Sequence, residues 1–150
     1  MSLESVDKIL DFAIQREQAA HDFYTELAGK MERPGMKEIF TQFAGEELGH
    51  RRKLESIKDG KRLLPSAQKV MNLKIAEYTV DVDPDEDLDY QKALILAMKR
   101  EKMSYKLYND MANAIDDEDL KQTFLALAQE EAKHKLRFEV EYDEVILVEN

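Results

Sequence analysis

Six side chains in this sequence have the types and spacing to hold metal: Glu17, Glu47, His50, Glu101, Glu131 and His134. Four of them form two Glu-x-x-His pairs, Glu47-Leu-Gly-His50 and Glu131-Ala-Lys-His134. On a helix, a three-residue step turns about 300° and climbs about one turn, so carboxylate and imidazole leave the same face. Glu17 and Glu101 each precede the glutamate of the next pair by 30 residues, a spacing consistent with all four meeting at one level. A lone helical glutamate ordinarily belongs to a solvated face. These four stand where helical periodicity demands an apolar residue. Taking one carboxylate out of water costs several kcal/mol even after relaxation. Four uncompensated ones would exceed a domain's whole stability of about 5–15 kcal/mol. No lysine or arginine lies on the stripes to neutralise them. Protonation relieves part of the cost, whereas two divalent cations balance four carboxylates completely and two neutral imidazoles fill out the coordination. Oxygen and nitrogen donors without sulfur suit iron or manganese, and zinc also occupies such sites. One Glu from each of two helices with Glu-x-x-His from each of two others is the dinuclear carboxylate arrangement.

Neighbouring residues compete for the same roles. Glu46 and Glu130 lie four residues before the histidines, but they rotate about 100° off the stripe that Phe40, Phe43, Glu47, His50 and Leu54 share, so they read as solvated or supporting groups. Tyr24 and Tyr108 follow Glu17 and Glu101 by seven residues, on the same face and about 10 Å further along. They read equally as phenols that orient a ligating carboxylate and relay a proton, or as ordinary core aromatics. His21 could tilt toward the site, yet its counterpart in the second half is Tyr105, which favours a satisfied or partly exposed histidine. The seven methionines read as core filler.

Helices must position these groups. Only five glycines and three prolines interrupt long stretches rich in Ala, Leu, Glu, Lys, Gln and Met. The first predicted helix runs from Leu3, behind a Ser2 cap, to near Met31, with the stripe Val6, Leu10, Ala13, Glu17, Ala20, Tyr24 and Leu27. After a Pro34-Gly35 turn the second covers Met36 to Lys58 and closes at Asp59-Gly60. The third follows Asp83-Pro84-Asp85, on the stripe Tyr90, Leu94, Ala97, Glu101, Ser104, Tyr108, Met111 and Ile115. The fourth, capped by Asp116, carries Leu120, Phe124, Leu127, Glu131, His134 and Phe138, and fades near Tyr142. Between the second and third helices lies a crossover, about 61–85, in which Val70 to Tyr78 reads as a short helix. The tail from Glu144 to Glu149 is apolar and ambiguous between a continuation of the last helix, an extended piece and a packing or dimer contact.

The chain also repeats itself. An offset of 84 residues superposes Leu10 on Leu94, Arg16 on Arg100, Glu17 on Glu101, Tyr24 on Tyr108, Phe40 on Phe124, Glu47 on Glu131 and His50 on His134, without a gap. A period this long marks a duplicated helix pair. The expected fold class is all-α: one domain, 1–150, a four-helix bundle of two repeated hairpins, 3–58 and 86–142, joined by one long crossover.

Composition bounds the function. With 43% hydrophobic and 36% charged residues in 150, the chain is a soluble globular class of sequence. Its net charge of −10 argues against nucleic acid and anionic membrane as partners. The absence of cysteine excludes disulfides, thiol nucleophiles and iron–sulfur clusters. Its N-terminus has no apolar signal-peptide core, and the run Ala93 to Met98 is far short of the roughly 20 residues that span a bilayer. A cytoplasmic location is expected.

The motifs Glu17-x6-Tyr24 with Glu47-Leu-Gly-His50, and Glu101-x6-Tyr108 with Glu131-Ala-Lys-His134, resemble the rubrerythrin-like branch of the ferritin-like superfamily over about Lys8 to Tyr142. The resemblance implies a non-haem di-iron centre, with Glu47 and Glu131 bridging the metals and Glu17, Glu101, His50 and His134 as terminal ligands. It implies reduction of hydrogen peroxide or dioxygen, as in oxidative-stress defence. Two departures stand out. Full-length rubrerythrins carry a rubredoxin-type domain whose four cysteines hold an electron-relaying iron, and this chain has none, so a separate rubredoxin or flavoprotein is the expected donor. They also carry an extra glutamate one turn after the third-helix ligand, where this chain has Ser104. The alternatives are ferritin-like iron oxidation and storage, which needs a many-subunit shell, and a metal-dependent structural module. A homodimer is expected, and the duplication allows hairpins to be swapped between copies.

Overall fold

Sequence periodicity is converted into paired helices throughout. The computed structural model describes residues 3–33, 35–82 and 88–149. The chain divides into two compact units, 1–71 and 72–150, and no strand occurs among the described residues.

The first unit pairs α1 (Leu3–Lys30) with α2 (Met36–Asp59). Their partners run in opposite order: Lys58 Nζ donates to Asp11 Oδ1 at 2.6 Å, Arg51 donates to Gln18, and His21 Nδ1 meets the Ala44 carbonyl at 2.7 Å. The hairpin is therefore antiparallel. The hydrogen bond that Lys58 donates to Asp11 holds its ammonium above its ordinary range. Leu10, Ala13 and Tyr24 of α1, with Phe40, Leu54 and Ile57 of α2, are buried as their stripes demand. Ser2 and Pro34, the expected cap and turn residue, lie outside the described residues. Gly35 enters α2 at φ 90°, where glycine alone pays no Cβ penalty.

At the end of α2, Arg62 N–H donates to Ile57 O and Lys61 N–H to Lys58 O, the double closure of a Schellman motif. The left-handed residue that this motif requires is Lys61, at φ 54°, not the adjacent Gly60, whose φ is −80°. Gly60 serves differently, because a Cβ there would stand 3.3 Å from the Ser56 carbonyl. A 3-10 turn, Leu64–Ser66, then leads into α3 (Ala67–Val70).

The second unit opens with a 3-10 turn, Ile75–Tyr78, and pairs α4 (Tyr90–Ala114) with α5 (Glu118–Glu149). Tyr90 pairs with Glu141, Glu101 faces His134 and Tyr108 meets Phe124, partners in opposite order, so this hairpin is antiparallel too. Leu94, Ala97, Tyr108, Phe124 and Phe138 are buried, repeating the pattern of the first unit.

Four boundaries differ from expectation. The short helix foreseen over Val70 to Tyr78 is two pieces, α3 and the 3-10 turn, separated by Met71 to Lys74. The third long helix does not begin just after Asp85; it begins at Tyr90, where the Asp89 carboxylate accepts from Lys92 N–H at 2.8 Å. Asp83 to Asp85 lie outside the described residues. The last helix is capped by Asp117, which accepts from Leu120 N–H at 3.0 Å, and not by Asp116. That helix continues through the ambiguous tail to Glu149.

Candidate metal centre

Each compact unit carries one triad. In the first, α1 presents Glu17 and the next helix presents Glu47 and His50, one turn apart; all three are at most 5% exposed. In the second, α4 presents Glu101 and α5 presents Glu131 and His134, all at most 2% exposed. The antiparallel register brings them together. In the first unit, the Asp11–Lys58 and His21–Ala44 contacts fix the two helices on either side of the triad's level.

The spacing within each triad is informative. His50 Nδ1 stands 3.5 Å from Glu17 Oε2 and 3.9 Å from Glu47 Oε1. In the second unit, His134 Nδ1 stands 3.6 Å from Glu101 Oε1. Hydrogen bonds from ring N–H to oxygen run about 2.7–3.2 Å, so these separations are too wide for them. Two ligands that share one cation, each about 2.0–2.2 Å from it, stand roughly 3–4 Å apart. The ligand atoms offered by Glu17, Glu47 and His50 all lie within 4.8 Å of one another, as do those of Glu101, Glu131 and His134. Hard carboxylate oxygen with imidazole nitrogen, and no sulfur, fits iron, manganese or zinc. Both triads pass the test of fit for a divalent metal.

Of the neighbouring residues, Glu46, Glu130 and His21 are placed elsewhere. Glu130 is exposed, and half-buried Glu46 is approached by the Gln42 amide at 3.4 Å, so neither joins a triad. His21 is half-buried and its Nδ1 is tied to the backbone of α2. Tyr24 is buried in ring contact with Phe40, centroids 6.1 Å apart, and Tyr108 makes the equivalent contact with Phe124 at 6.1 Å. Ser104 is buried on α4.

One buried acid escaped the sequence analysis. Glu141 is 1% exposed and accepts from the Tyr90 hydroxyl at 3.0 Å. Its signal was present: 131, 134, 138 and 141 continue the same alternation of three and four. At the equivalent places of the first repeat stand Ile57 and Val6, both buried, so a polar pair replaces an apolar one. Its hydrogen bond to Tyr90 accounts for a carboxylate at that depth.

No helix among the described residues is long and apolar enough to cross a membrane. Residues 8–142 match the rubrerythrin family. Among solved structures, the chain is similar to a putative ferritin-like diiron-carboxylate protein from Thermotoga maritima, at 24% identity, with a TM-score of 0.78 and coverage of 93% of this chain and 95% of that one. That likeness shows the ferritin-like helical bundle fold. No curated protein matches the chain significantly.

Proposed function

This chain belongs to the rubrerythrin family, and on that premise we propose that it is a di-iron oxidoreductase that reduces hydrogen peroxide or dioxygen with electrons from a separate donor. The observation that carries this reading is the pair of buried Glu/His triads, spaced too widely for hydrogen bonds and suitably for shared cations. The ferritin-like fold supports it, and the described solved relative is itself named a diiron-carboxylate protein.

In this proposal the two triads serve one dinuclear centre within a single functional domain. Glu47 and Glu131 would be shared between the two metals, while Glu17, His50, Glu101 and His134 would each hold one. Two ferrous ions held there would supply two electrons at a time, enough to take hydrogen peroxide to water or dioxygen to peroxide, with the external donor restoring them. The residues supply what iron does not. Four carboxylates and two neutral imidazoles balance two divalent charges, so the loaded centre is electrically neutral inside an apolar stripe. The apolar residues around it, Leu10, Ala13, Leu94 and Ala97 among them, exclude water. Tyr24 and Tyr108 are the phenols on the same faces as Glu17 and Glu101, placed to orient carboxylates and pass protons. Ser104 offers no carboxylate, so Glu17, Glu47, His50, Glu101, Glu131 and His134 are the side chains that would hold the metal. Manganese and zinc satisfy the same donor set. The donor is a separate rubredoxin or flavoprotein, and the working form is a cytoplasmic homodimer.

Metal analysis of protein purified without air, followed by absorbance on adding hydrogen peroxide, tests this directly. The expected result is two irons per chain and a new charge-transfer absorbance on oxidation. Glu101→Gln and His134→Ala should each abolish stoichiometric binding. Two metals per chain retained in both variants would overturn the assignment.

A further inference from the structure

The second unit has a groove that the metal centre does not use. After the 3-10 turn Ile75–Tyr78, the chain becomes extended at Thr79 and lies along α4. Tyr78 pins it there: its buried ring stands 5.4 Å from the Lys106 ammonium, and its hydroxyl donates to Asp110 at 2.7 Å. Beyond this pin, two adjoining cavities of about 320 and 200 Å³ open between residues 79–82 and α4, sharing Asp81 and Lys99 in their walls. Val82 and Leu88, 41% and 39% exposed, give the groove an apolar lip.

Its rim is cationic in a chain of net charge −10. Lys92, Lys99 and Lys102 line the cavities, and with Lys106 they follow one another at steps of seven, three and four, a single stripe of α4. The duplication shows that this stripe is not inherited bundle architecture. At the 84-residue offset the first half has Lys8, Gln15, Gln18 and Asp22. Asp81 is the one acidic group among the described lining residues. Glu101 sits between Lys99 and Lys102 in the sequence but on the buried side of the helix. An occupant of the groove therefore lies about one helix diameter, some 10–12 Å, from a metal-ligating carboxylate.

We propose that this groove is the docking surface for the acidic electron-carrier protein that reduces the metal centre, an inference that rests on the external-donor function above. The lysines steer and orient an acidic partner that the rest of the surface repels. Val82 and Leu88 provide the apolar patch that excludes water at the contact.

The test uses a rubredoxin, a small acidic iron–tetrathiolate protein, titrated into the iron-loaded chain while binding is followed by calorimetry. In Lys99→Glu/Lys102→Glu, association at low salt should weaken by about tenfold or more, and its salt dependence should flatten. Lys37→Glu/Lys61→Glu makes the same change in net charge with exposed lysines of the first unit and should stay within about twofold of the parent. Equal losses in the two double variants, or no saturable binding by the parent, overturn the docking surface. Binding of the groove variant that matches the parent's overturns it equally. Dithionite separates this from the function on which it rests. Bound iron that dithionite reduces and peroxide reoxidises in all three proteins keeps the redox reading intact whatever rubredoxin does, and iron inert to both in the parent sinks that reading instead.

Discussion

A carboxylate in the apolar stripe of a helix destabilises the protein that carries it until something neutralises it, and this gives metal ligands a signature of their own. Glu101 is 2% exposed. Without metal, replacing both Glu101 and its neighbour His134 with apolar residues removes the whole buried polar pair and should leave the protein as stable as the parent or more stable by up to about 4 kcal/mol. With iron present the order should reverse, because the variant loses the stabilisation that binding provides. Urea unfolding in chelator and then in ferrous iron reads both signs, and a variant less stable than the parent in chelator would argue that Glu101 is not an internal charge. Tyr78 gives a second prediction at this scale. Burial first, and the hydrogen bond to Asp110 second, push its hydroxyl well above the usual tyrosine range. A raised folded pKa means that the protonated form is favoured by folding. Its contribution is complete below the unfolded value of about 10 and drains away as pH rises toward the folded one. Tyr78→Phe should therefore cost about 1 kcal/mol at pH 7, and the difference from the parent should shrink above about pH 10.

At the scale of elements, the helix starts are where sequence and structure part. Asp89 and Asp117 accept hydrogen bonds from the third residue after them, while Asp116 stands one place outside. Asp117→Ala should cost about 1 kcal/mol and Asp116→Ala a few tenths, measured as shifts in the denaturation midpoint. Equal costs would mean that the cap is shared. The stripes themselves were legible, because burial imposes a 3.6-residue period that the sequence cannot hide. Phe40, Phe43, Glu47, His50 and Leu54 share one face in the sequence and all are buried. The triads were legible for the same reason, as violations of that period. The caps were not, because Asp83, Asp85, Asp87 and Asp89 are each competent and only tertiary placement selects among them. Val145 to Val148 have no period at all, so their helical state depends on continuation from α5. Glu141 is less legible because the apolar stripe ends at Phe138 and only the spacing runs one step further.

For the whole molecule, the duplication raises a question of cooperativity. Each unit contributes one triad, Glu17, Glu47 and His50 or Glu101, Glu131 and His134. If the triads were independent, disabling one would leave the other able to bind its own ion. If they share a centre through bridging carboxylates, each ion depends on ligands from both halves, and loss of one half raises the cost of the other's uncompensated charge. The proposed function requires the second outcome. His50→Ala changes only the first unit, yet bound iron should fall from two per chain to well below one, and adding His134→Ala should change little more. Such non-additivity is what residues acting through one network show. The same coupling should appear in stability. Iron at 100 times its dissociation constant stabilises the folded parent by about 2.7 kcal/mol per independent site, and chelation should remove that gain in the parent while leaving His50→Ala almost unmoved. One iron retained by each single variant, with half the stabilisation, would mean two separate mononuclear sites and would end the dinuclear proposal.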